Sequence, residues 1–156
     1  MLLEIGNFTK VIEIVDLISK EYDVCYCLDD ITKFLASTED FYQAGDVCHK
    51  VIEMALSLPD VFKLRFLVKI VSFLLKKEEF DKVMETVSLI TDETIKFNCL
   101  IDIAKVLIDK GDVAQADYIC DQAIESAWLI SDVRVQSNCL RDVVNVLMEN
   151  RKFDQA

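Results

Sequence analysis

Residues 98–116, Asn98-Cys-Leu-Ile-Asp-Ile-Ala-Lys-Val-Leu-Ile-Asp-Lys-Gly-Asp-Val-Ala-Gln-Ala116, decide the fold class. Leu100, Ile103, Ala104, Leu107 and Ile108 recur at helical spacing and form one apolar stripe. Gly111 after Lys110 marks a helix end through a left-handed residue, and Asp112 stands where the next helix needs an N-cap. Val113, Ala116, Ile119, Cys120, Ala123 and Ile124 then give a second apolar face. The stretch therefore predicts a helix, a tight turn and a second, antiparallel helix.

The same pattern returns along the chain. Tyr26–Ala44, Arg65–Val83 and Asn138–Ala156 align with Asn98–Ala116 without gaps, and each predicts the same helix, turn and helix start. A partial copy opens the chain, with Gly6, Phe8 and Val11 in the places of Gly111, Val113 and Ala116. The steps between copies alternate between about 33 and about 40 residues, which makes a larger unit of about 72. Residues 10–61 overlay residues 82–133 with roughly 22 identities in about 52 positions, against three or four expected by chance. The chain is thus a duplicated pair of hairpins, one short and one long. The extra residues are expected to lengthen the second helix of each long repeat, around Cys48–Leu58 and Cys120–Ile130.

The organisation predicted is one α-solenoid segment over residues 1–156. Partial repeats at 1–24 and 136–156 flank complete ones at 25–61, 62–95 and 96–135. Solenoids need terminal caps with a polar outer face, and neither end reads as one. The chain is therefore expected to be a segment of a longer repeat protein. Val143, Val146 and Leu147 are expected to be left uncovered in the last copy, giving homo-oligomers through uncapped ends.

Bulk properties narrow the function classes. The chain has 156 residues, of which 53% are hydrophobic. Mean hydropathy is +0.28. No run approaches the roughly 20 apolar residues of a membrane span, so the apolar side chains are expected in a core. Three Gly and one Pro are too few for an all-β fold of this length. A net charge of −11 opposes binding to nucleic acid or to anionic membranes. Six cysteines without a signal peptide point to a reducing, cytoplasmic setting rather than a disulfide scaffold.

No constellation of catalytic residues is legible. The cysteines contain no CxxC pair and read as small buried hydrophobes, so neither a metal site nor a cofactor is expected. His49 has no partner at a ligand or triad spacing. The acidic pairs, Asp29-Asp30 among them, fall at helix starts or on polar faces. Trp128 is expected to pack between repeats. An enzyme is not expected.

A unit of about 34 residues, with small residues in both helices, resembles the tetratricopeptide repeat (TPR) family. Leu100, Ile103, Ala104, Leu107, Gly111, Ala116 and Ala123 carry the resemblance. Thr32, Val71 and Val144 replace the small Ala104 in the other copies, and other α-solenoid subtypes fit the pattern as well. The resemblance implies a right-handed superhelix that binds protein or peptide on the concave face formed by first helices. The positions exposed there would be Tyr26, Asp30 and Lys33; Arg65, Lys69, Ser72 and Lys76; Asn98, Asp102 and Lys105; and Asn138, Asp142 and Asn145. Arg65, Lys69, Lys76 and Lys77 form a basic island in an acidic chain. TPR proteins with a carboxylate clamp use Asn, Lys and Arg in this way, and the positions here match that clamp in part. The expected function is a non-catalytic scaffold or adaptor. A self-associating repeat segment, an accessory domain of a larger enzyme and a secretion chaperone are the alternatives.

Overall fold

The computed structural model describes residues 21–37 and 41–154, together with Lys10, Glu13, Ile14 and Leu17. The partial copy at Gly6, Phe8 and Val11 lies outside them. The described residues form seven helices and no strand, so the fold is all-α. The helices are α1 (Glu21–Ser37), α2 (Phe41–Leu56), α3 (Asp60–Lys76), α4 (Phe80–Ser88), α5 (Glu93–Asp109), α6 (Val113–Leu129) and α7 (Val133–Asp154).

The duplication is written into the helix bounds. Both ends of α5 fall about 72 residues after those of α1, and α6 starts about 72 residues after α2. The alternation of lengths also holds. The second helix of the short repeat, α4, has 9 residues, whereas α2 has 16 and α6 has 17.

The turns have local causes. Before α6, Gly111 takes φ +77°, its N–H donates to Ile108 O at 2.8 Å, and the Asp112 N–H donates to Leu107 O at 2.9 Å. The Asp112 carboxylate then accepts from Gln115 N at 3.1 Å, capping the next helix as its position predicts. Glu78 stands in the same repeat position before α4 and adopts φ 65°, with Glu79 N donating to Leu74 O at 3.1 Å. Asp92 caps α5 through Ile95 N at 2.9 Å, and Asp132 caps α7 through Val135 N at 3.1 Å.

The fourth copy departs from its prediction. No turn interrupts it, and α7 runs unbroken for 22 residues. Arg151 holds the position of Gly111, where a side chain in a left-handed conformation costs about 1–2 kcal/mol, and Arg is a good helix former. Asn150, just before it, is buried against α6: its Nδ2 donates to Asp117 Oδ1 at 2.7 Å and to Val113 O at 3.3 Å. Among the described residues no group donates to its Oδ1.

The chain divides into two compact units, Met1–Thr86 and Val87–Ala156. In the first, α3 packs on both α1 and α2, around Leu28, Ile31, Val51, Phe66, Leu67 and Ile70. In the second, α5, α6 and α7 each touch the other two. Ala116, Cys120, Ala123 and Ala127 make a fully covered small-residue stripe along α6, which lets its neighbours approach closely. No described helix is long and apolar enough to cross a membrane.

Candidate functional site

The predicted first-helix positions reach the surface in both units. In the first unit Tyr26, Asp30 and Lys33 are exposed on α1, and Lys33 Nζ lies 3.4 Å from Asp30 Oδ1. On α3, Ser72 is exposed and donates to Val68 O at 3.0 Å, and Lys76 is exposed. In the second unit Asn98, Asp102 and Lys105 are exposed along α5, four and then three residues apart. Asn138, Asp142 and Asn145 repeat that spacing, exposed, on the adjoining α7. Asn138 Oδ1 accepts from Arg141 at 3.1 Å.

Arg65 and Lys69 behave differently from their neighbours. Both bind the Asp29 carboxylate on α1, and both lie over the Phe66 ring, 5.5 and 5.7 Å from its centre. Burial, and then the charges of Arg65 and Lys33, push the Lys69 ammonium below the ordinary lysine range. Two of the cations in the basic island thus tie α1 to α3, and the island offers a ligand less free charge than its composition suggests. Asp29 is not on a polar face: only 15% of its side chain is exposed. Its position gave a mixed signal, because the aligned residues are Val68 and Ile101, both apolar, and the charged Arg141.

The other candidates resolve one by one. Cys25, Cys48, Cys99, Cys120 and Cys139 are buried, Cys27 is half-buried, and all six are free thiols. Burial pushes Cys48 up to about 12 and Cys99 and Cys120 to about 11, which leaves little thiolate at neutral pH. Among the described residues no three His, Cys, Asp or Glu side chains converge as metal ligands would. His49 is exposed and lies 3.4 Å from Glu53, one turn along α2. Val143 and Val146 are buried rather than uncovered, while Val144 and Met148 of the same helix are exposed. Trp128 does not pack between repeats. It is 63% exposed at the end of α6, where it stands roughly a quarter turn round the helix from the buried stripe of small residues.

Among the described residues the fold is all-helical, and its helix bounds recur at a spacing of about 72 residues. Comparison with protein-family models, with characterised proteins and with solved structures finds no match.

Proposed function

We propose that the chain is a non-catalytic scaffold, a TPR-like α-solenoid segment that binds an extended peptide or a protein surface along its first helices. The observation that carries this reading is the exposed polar ladder of the second unit. Asn98, Asp102 and Lys105 on α5 and Asn138, Asp142 and Asn145 on α7 are exposed at the same sequence spacing on helices that touch. Asn side chains can bond a peptide backbone from either end of the amide, and Lys105 can meet a carboxylate. The first unit, taken by itself, exposes Tyr26 and Lys76, while its Arg65 and Lys69 are engaged by Asp29.

The test is a panel of acidic and neutral peptides titrated against the whole chain by fluorescence anisotropy. Changing Asn98→Ala with Lys105→Glu is expected to weaken a bound peptide at least tenfold, as about 1.4 kcal/mol would. These positions are exposed, so the fold should survive, and an unchanged helical signal on heating checks that it has. Unchanged affinity in a folded double variant would remove the first-helix face from consideration.

A further inference from the structure

Two outer faces of the second unit carry opposite charge, and each has exposed apolar side chains. Along α6, Tyr118, Asp121, Glu125 and Trp128 follow at steps of three, four and three residues, all exposed. At about 3.6 residues per turn they share one stripe, which Leu129 extends. The α6 sequence has no Lys or Arg, and among the described residues no cation pairs with Asp121 or Glu125. Along α7, Arg134, Arg141, Val144, Met148 and Arg151 make a second exposed stripe. Asp142 and Glu149 flank it, about a third of a turn round the helix from its centre.

We propose that copies of this chain join head to tail, the outer face of α6 in one copy seated on the outer face of α7 in the next. Both faces belong to one packed unit and both are exposed in it, so they cannot meet within a single copy. Their spacings agree: Tyr118 and Trp128 bracket Asp121 and Glu125, as Arg141 and Arg151 bracket Val144 and Met148, over a length of about 15 Å. Arg141 and Arg151 can each lie over an aromatic ring and reach the acid one turn away, while Arg134 adds positive charge beyond them. Val144 and Met148 cover the rings between them, removing from water apolar groups that a lone copy exposes. Such an interface uses two different surfaces, so it builds a ring or an open filament rather than a two-fold dimer. The net charge of −11 repels copies at long range, which leaves association dependent on the three arginines.

This goes beyond the peptide-binding reading, and the Asp121 and Glu125 variant separates the two, since α6 carries none of the first-helix positions, whereas Arg141 on α7 bonds Asn138 of the peptide face. The experiment is sedimentation velocity on the whole chain over a range of concentrations. Wild type should gain mass with concentration. The variant Asp121→Lys with Glu125→Lys should need at least about tenfold more protein to reach the same mass. That variant also carries less net negative charge, so general repulsion cannot account for the loss. Arg141→Glu with Arg151→Glu should be equally impaired, and mixing the two variants should restore association. Thermal melts by circular dichroism verify that each remains folded. A wild type that stays monomeric at its highest soluble concentration overturns the proposal, as does association indifferent to both charge reversals. Failure of the folded variants to complement each other overturns it too. So does a cationic helical peptide saturating the α6 face of a chain that never self-associates.

Discussion

The two units repeat the same helix bounds about 72 residues apart yet join their first and third helices by different physics. In the first, Asp29 of α1 receives Arg65 and Lys69 of α3. In the second, the aligned position on α5 is Ile101, buried, and Asn138 and Asp142 replace the two cations on α7. An ion pair whose cations stay partly in water adds little to stability, because solvent screens them and holding long side chains still costs entropy. An isoleucine in the same place contributes about 1.5–3 kcal/mol by leaving water. The second unit adds a polar clasp of its own, Asn150 against Asp117 and Val113 O. A duplicated scaffold can therefore keep its helix bounds while exchanging the chemistry of its seams.

That contrast can be broken by swapping residues across it. Ile101→Asp places a carboxylate in a buried position with no cation at either aligned neighbour. It should cost about 4 kcal/mol in urea unfolding. Asn150→Asp sets a buried carboxylate against Asp117 and loses the amide donor, for an expected loss of about 3 kcal/mol. The reciprocal graft, Asp29→Ile, should cost only about 1 kcal/mol, since Arg65 and Lys69 can turn their heads to water. If it matched the loss at Ile101, the seams would be equivalent and the contrast wrong.

The turns sharpen the comparison at smaller scale. A Cβ at Gly111 would meet nothing within 4 Å, so Gly111→Ala carries only the left-handed backbone cost, about 1 kcal/mol of lost stability. Glu78 already bears that cost in the aligned turn. Glu78→Gly should therefore stabilise, by about 0.5 kcal/mol after the added freedom of the unfolded chain is counted. Paired thermal melts of the two variants should move in opposite directions.

Much of this was legible from periodicity. The apolar stripe from Leu100 to Ile108, the Gly111 turn and the Asp112 cap depend on residues within a few positions of one another, which is why reading 98–116 anticipated them. The alternation of helix lengths followed from spacing alone. The candidate surface was legible only in part. Exposure of Asn98, Lys105 and Asn145 follows from register, but the engagement of Arg65 and Lys69 by Asp29 joins residues far apart in sequence, and no local pattern reports it. Trp128 misled for a related reason: an aromatic residue suggests burial, and which side of α6 faces the core depends on where its alanines meet α5 and α7.

The sequence by itself determined that this protein is all-helical and duplicated, and roughly where its helices start and stop, because those properties rest on near-neighbour periodicity and capping. Only the tertiary structure decided that the last copy continues as one helix, that half of the basic island is spent on Asp29, and that α6 and α7 turn oppositely charged faces outward. Those outcomes depend on which helix lies against which, a matter of packing between residues that the chain keeps more than thirty positions apart.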